Sequence, residues 1–206
     1  MRLFAMPGTC ALAPNIVAVW VGATVDVVNL EQGENQQPEY LVINPKGMVP
    51  ALEIEPGVIL SEAAAVMRYL AAVGSNQSLN PSDPLRWARV DEAMSYMTSE
   101  VHAAYGGHFA PFRLAESESA QAEVRAATYA KLANHYARLE TNFTANGGDY
   151  YLGSRSAADA YLFVLTRWID STPLSLDAHP KLLAFRAMMH EDADVQIALT
   201  RQGMAD

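Results

Sequence analysis

The chain has 206 residues, half of them hydrophobic, with a single cysteine and a formal net charge of -9. An acidic chain with no visible Lys/Arg cluster argues against nucleic acid and anionic membranes as partners, and one cysteine excludes a disulfide framework and a multi-cysteine metal site. With no leader pattern and no unbroken apolar span, the expectation is a cytoplasmic globular protein that binds small molecules or a second copy of itself.

Residues 2–5 read as a short strand ended by Pro7-Gly8. Leu12, Ile16, Val17, Val19 and Trp20 then follow helical spacing, with Pro14 in the first turn and Gly22 as terminator. Cys10 falls where strand hands over to helix. Unpaired amide N–H groups and the positive end of the macrodipole there stabilise a thiolate, so its pKa is expected below the free value of about 8.5. That makes Cys10 a candidate reactive sulfur; the alternative is a small buried apolar residue.

Residues 25–30 are β-branched and read as a second strand, completing a βαβ unit. The polar loop 31–37 carries no positive charge and leads to a short helix over 39–43. A hairpin follows, entered at Val49-Pro50, turned at Pro56-Gly57 and closed by residues 58–60. Ser61-Glu62 opens a third helix that runs to Gly74. The first 75 residues therefore spell βαβ followed by ββα.

Polar residues with prolines at 81 and 84 mark a linker over 76–84, after which strand patterns cease. Long helical patterns cover residues 85–114 and 118–146. Ser156 caps the next helix, with Asp159 reaching back, and two further helices begin at Pro180 and near Asp192. The predicted organisation is an α/β domain over 1–75, the linker, and an all-helical domain over 85–206.

Four segments in this order carry a resemblance to a known family: Pro7-Gly8-Thr9-Cys10 with Pro14; Asn44-Pro45-Lys46-Gly47-Met48-Val49-Pro50; Leu60-Ser61-Glu62-Ala63; and Ala158-Asp159-Ala160-Tyr161-Leu162-Phe163. Together they resemble the glutathione transferase superfamily, and within it the bacterial beta class. The resemblance implies a thioredoxin-like N-terminal domain and an all-α C-terminal domain, with glutathione as co-substrate and no metal. It implies a cis Val49–Pro50 bond, a Val49 backbone that pairs with the cysteinyl part of glutathione, and a γ-glutamyl end held by Glu62 and the Ala63 amide, with Lys46 as the nearby cation.

By the same resemblance Cys10 lies at the glutathione sulfur and forms a mixed disulfide with it. His102, in its Ser99-Glu100-Val101-His102 context, borders that sulfur as proton donor or hydrogen-bond partner. Tyr105, Phe109, Phe112 and Trp168 are the expected contacts for a small hydrophobic electrophile. A homodimer is implied, with Met94, Met97 and Tyr129 as interface candidates. The chain departs from the class at Ala5 and Ala11, where hydroxyl-bearing side chains are usual, at Ala103, where a lysine is usual, and in the uncharged-to-acidic loop 31–37. These departures predict weak glutathione binding. The expected activity is conjugation of glutathione to hydrophobic electrophiles, reduction of mixed disulfides through Cys10, or both. The alternatives are a noncatalytic ligand-binding protein that has lost glutathione recognition, and an isomerase or dehalogenase on the same fold.

Overall fold

A computed structural model describes residues 1–205. Its first third forms one mixed sheet from β1 (Arg2–Ala5), β2 (Asp26–Asn29), β3 (Ala51–Glu55) and β4 (Val58–Ser61), in the order β2-β1-β3-β4. β1 runs parallel to β2 and antiparallel to β3. Because side chains alternate along a strand, β1 serves two cores at once. Leu3 joins the main core, while Phe4 turns to the other face and packs with Tyr40 and Ala51.

The helix α1 (Leu12–Trp20) has eight of its nine residues buried. A helix apolar on every side must be covered on every side. α3 (Ala63–Val73) covers it within the sheet domain; α7 (Ala157–Trp168) and α9 (Ala193–Arg201) cover it from the helical domain. Gly74 ends α3 where a Cβ would lie 2.4 Å from the Val21 Cβ, so only glycine lets the ends of α1 and α3 approach this closely. Tyr40, on α2 (Pro38–Leu41), fills the second face of the sheet.

The remaining helices are α4 (Pro84–Tyr96), α5 (Gly106–Phe109), α6 (Glu118–Asn146) and α8 (Pro180–Glu191). The architecture is thus the expected thioredoxin-like domain followed by helices. No helix among the described residues is long and apolar enough to cross a membrane.

Three local expectations are corrected. The helix expected over 85–114 is broken: α4 passes into a π-type stretch, Met97–His102, and only the four-residue α5 and a turn at Pro111–Arg113 follow. Gly106-Gly107 and Pro111 disfavour a continuous helix, and Gly107 presses on the Thr128 side chain, where a Cβ would sit 2.0 Å from Oγ1. Ser61 belongs to β4 and does not cap α3; Glu62 occupies that position with φ +74° and no side-chain cap. Met94 and Met97 lie wholly inside the core of this chain, so their apolar surface is used within one subunit. Tyr129 is partly buried, its hydroxyl 3.1 Å from His108 Nδ1.

The cap on α7 is present as read. Asp159 is fully buried and accepts hydrogen bonds from the Ser156 N–H at 2.7 Å, the Ser156 hydroxyl at 3.0 Å and the Tyr151 N–H at 2.8 Å. Removing that acceptor leaves buried donors unpaired at the start of the most buried helix of the second domain. Asp159→Ala is expected to lower the unfolding free energy by about 2–4 kcal/mol in urea denaturation. A loss below about 1 kcal/mol would show that the cap is dispensable.

Candidate active site

A cleft of about 760 Å³ opens between the sheet domain and the helical domain. Its floor is the turn from β1 into α1. The Thr9 hydroxyl donates to the Met6 carbonyl at 2.7 Å, and Cys10 follows with its carbonyl already accepting the Ala13 N–H at 3.1 Å. Cys10 is buried, and its sulfur donates to the Val49 carbonyl at 3.8 Å.

The expected lowering of the Cys10 pKa is not found. Burial pushes the thiol up to about 11, against the smaller opposing effects of the Tyr161 hydroxyl and the residue's own N–H. Taking water away from a thiolate costs more here than the helix start returns. The resting sulfur is therefore a neutral thiol.

The second wall is the loop that ends in the cis Val49–Pro50 bond. It is held from behind by side chains that the expected site did not include. Tyr40 Oη and Asn44 Nδ2 each donate to the Met48 carbonyl at 2.7 Å, and Asn35 and Gln36 donate to the Gly47 carbonyl at 2.6 and 2.7 Å. Loop 31–37, which carries no positive charge, thus works as a structural brace and also contributes Gln32 to the cleft.

Beside it, Lys46 Nζ meets Glu62 Oε1 at 2.8 Å, with both side chains more than half exposed. An ion pair this open to water is worth little by itself. It does place a cation and an anion together at the start of α3, where Ala63 also lines the cleft. Glu62 holds a backbone conformation that non-glycine residues rarely adopt, the kind of strain that concentrates at functional sites.

The helical domain supplies the third wall with Thr98, His102, Ala103, Phe109, Tyr161 and Trp168. His102 Nδ1 bonds to the Tyr161 hydroxyl, and burial moves the imidazole down from its ordinary pKa, which keeps it neutral near pH 7. Trp168 sits edge-on to His102, with ring centroids 4.8 Å apart, and its Nε1 donates to the Gly8 carbonyl at 2.8 Å across the domain junction.

Cys10, Lys46, Val49, Pro50, Glu62, Ala63, His102, Phe109 and Trp168 are therefore brought to one cleft. Two expected residues are not. Tyr105 is fully buried behind it, its hydroxyl 2.7 Å from that of Tyr136, because its helical position faces the domain core. Phe112 lies in the turn after α5 and is exposed away from the lining, with the Arg113 guanidinium over its ring at 6.0 Å. Ala5 and Ala11 are fully buried and do not line the cleft, whereas Ala103 does. A cleft-lining residue given no role in the sequence reading is Tyr161. It lies on a helix with apolar neighbours, and only the tertiary fold brings its hydroxyl to His102 Nδ1. Among the described residues no group of three or more His, Cys, Asp or Glu is placed to hold a metal ion.

The N-terminal domain model of the glutathione S-transferases matches residues 1–72. The Escherichia coli O157:H7 glutathione S-transferase GstA is 33% identical over 213 aligned residues, covering 99% of this chain and 100% of that protein. Among solved structures, a glutathione transferase homologue from Sulfitobacter with bound glutathione is 33% identical, with a TM-score of 0.89 over 98% of each chain. A bacterial beta-class glutathione S-transferase from Sphingomonas chungbukensis is 31% identical, with a TM-score of 0.87 over 100% of each chain.

With one cysteine in the chain, the ultraviolet absorbance of thiolate, taken as a difference from Cys10→Ala, reports this group alone. It is expected to show no thiolate through pH 9 and a rise toward about pH 11. A thiolate formed at or below pH 7 would contradict a sulfur governed by burial.

Proposed function

Because the chain belongs to the glutathione S-transferase family, we propose that it is a glutathione-dependent transferase that reduces mixed disulfides through Cys10 and accepts small hydrophobic electrophiles in the same cleft. One observation carries this reading: the group at the floor of the interdomain cleft is a sulfur, beside a peptide edge and a paired cation and anion. Glutathione is a peptide-like thiol with an ammonium and two carboxylates. In this reading the Val49 backbone meets its cysteinyl segment, the Ala63 N–H at the start of α3 meets the γ-glutamyl carboxylate, and Glu62 meets the ammonium. Pro50 fixes the loop edge, and residues 1–75 act as the glutathione-binding unit, with 76–84 as linker and 85–206 as the second-substrate unit.

Met6, Met48, Phe109 and Trp168 surround the outer part of the cleft and suit an uncharged apolar partner. Among the described lining residues, Lys46 is the one lysine or arginine. That supports weak glutathione affinity, since two carboxylates share a cation already engaged by Glu62. It also disfavours an isomerase reading on dianionic substrates. The noncatalytic reading loses part of its ground, because Cys10, Val49, Glu62 and Ala63 still share one cleft. A homodimer is proposed on the family resemblance, without Met94 and Met97 in the interface.

Titration calorimetry with reduced glutathione is expected to give saturable but weak binding, and Lys46→Ala to weaken it by about fivefold, or about 1 kcal/mol. A submicromolar Kd, or no change in Lys46→Ala, would be evidence against this account of the cation. In a coupled assay on a small glutathione mixed disulfide, Cys10→Ala is expected to abolish turnover while its thermal melting stays that of a folded protein. Undiminished turnover would remove Cys10 from the chemistry.

A further inference from the structure

We propose that a groove between α7 and α8, on the far side of α7 from the cleft, is a second binding site and takes a small apolar monocarboxylate. Its volume of about 550 Å³ is that of a small-molecule site, and it shares no lining residue with the cleft. The separation follows from helix geometry. Tyr161 and Trp168, seven residues apart on α7, line the cleft. Phe163 and Arg167, four apart, line the groove, with Phe163 about 200° round the helix from Tyr161. Occupation of the groove therefore does not depend on the transferase reading above.

The apolar part of the site comes from a second apolar face on α8. Leu182, Phe185 and Met189 are buried in the core, which is the one apolar stripe that a surface helix needs. Leu183, Ala184 and Ala187 are exposed and line the groove, on a face where such a helix ordinarily carries charge. Opposite them the buried Phe163 contributes from α7, with the Arg167 guanidinium over its ring at 5.7 Å. Together these groups offer aliphatic and aromatic contact to the body of a small apolar molecule.

The polar end is set by Arg186. Its Nη1 donates to the Thr166 carbonyl at 3.0 Å and to the two Asp170 carboxylate oxygens at 2.8 and 2.9 Å. Among the described residues no hydrogen bond uses its Nε or Nη2. Those two donors lie side by side on a guanidinium and match the two oxygens of a carboxylate. The contacts on Nη1 already hold the group in place, so less side-chain freedom is lost when a ligand binds. Charge favours the same ligand. The groove lining carries Arg167, Arg186 and His190 against one acid, Asp170, in a chain of formal net charge -9. Among the described residues of the cleft lining, Lys46 is the one lysine or arginine, and it is paired with Glu62. An apolar anion is therefore better matched by the groove than by the cleft. Asp170 limits the charge that fits, because a dianion such as a phosphate ester would be repelled by its carboxylate.

The test is a titration of the full chain with 2-naphthylacetate, in the wild-type protein, Arg186→Gln and Ala187→Glu. Methyl NMR signals of Leu183, Ala184 and Ala187 report the groove, and those of Met6 and Met48 report the cleft. Saturable shifts of the groove methyls are expected, with a Kd of about 0.1–1 mM and the cleft methyls unmoved. The neutral 2-naphthylacetamide is expected to bind about tenfold more weakly, and each substitution to weaken naphthylacetate by about tenfold. Arg186→Gln also loses the Thr166 and Asp170 contacts; if thermal melting shows it unfolded, Ala187→Glu, on an exposed helix face, decides. Equal binding of acid and amide, or unchanged affinity in either folded variant, would overturn the proposal. So would shifts of the cleft methyls alone, or no groove shift at about 5 mM naphthylacetate. Groove methyls that move with protein concentration before any naphthylacetate is added would assign this face to a second copy of the chain, and would overturn it as well.

Discussion

The burial of α1 is the constraint on which the rest of the structure depends. Ile16 and Val17 are fully buried and Trp20 nearly so, on different sides of one helix. Side chains of this kind contribute about 1.5–3 kcal/mol each when removed from water, so the sheet domain alone would leave much of that stabilisation unrealised. The helical domain supplies the missing cover through α7 and α9, and polar bonds fix its seating. Asn15 on α1 donates to the Ala198 carbonyl at 3.0 Å, and Trp168 donates to Gly8 at 2.8 Å. The cleft is a consequence. The start of α1, with Cys10, lies where the two domains meet above a shared core.

That position explains the electrostatics of the sulfur. A helix start offers a thiolate partial positive charge, but within an apolar junction it cannot offer water. Desolvation prevails and the thiol stays neutral. Such a sulfur resists adventitious oxidation, which needs thiolate character and exposure. Beside it in the cleft, Tyr161 and His102 lie on separate segments of the second domain brought together by packing. The scarcity of charge in the cleft fits the same economy, with the Lys46–Glu62 pair out in solvent and the apolar groups near the sulfur.

Much of this was legible in the sequence because it is carried by short-range physics. The strand–helix alternation, the Asp159 cap, the Pro180 helix start and the position of Cys10 at a turn all depend on neighbours within a few residues. The whole-chain order of motifs supplied the fold class and pointed to His102, Phe109 and Trp168. What failed depended on tertiary context. The direction of the Cys10 pKa turned on burial by a domain encoded about 150 residues later. Tyr105 and Phe112 shared an aromatic cluster with Phe109 in sequence, yet the break of α4 after Tyr96 sends one into the core and the other to the surface. Tyr161 was quoted within a motif but given no role, since helical periodicity cannot tell a buried ring from a buried ring whose hydroxyl reaches a cleft.

The central claim is that Cys10 works by forming a covalent bond to glutathione at the floor of this cleft. It is tested most directly by intact-mass spectrometry of the folded protein after incubation with glutathione disulfide and then with reduced glutathione. The account predicts one glutathionyl adduct per chain, confined to the peptide containing Cys10, removed by reduced glutathione and absent from Cys10→Ala. A protein that stays unmodified while folded, and gains the adduct only when denatured, would contradict it.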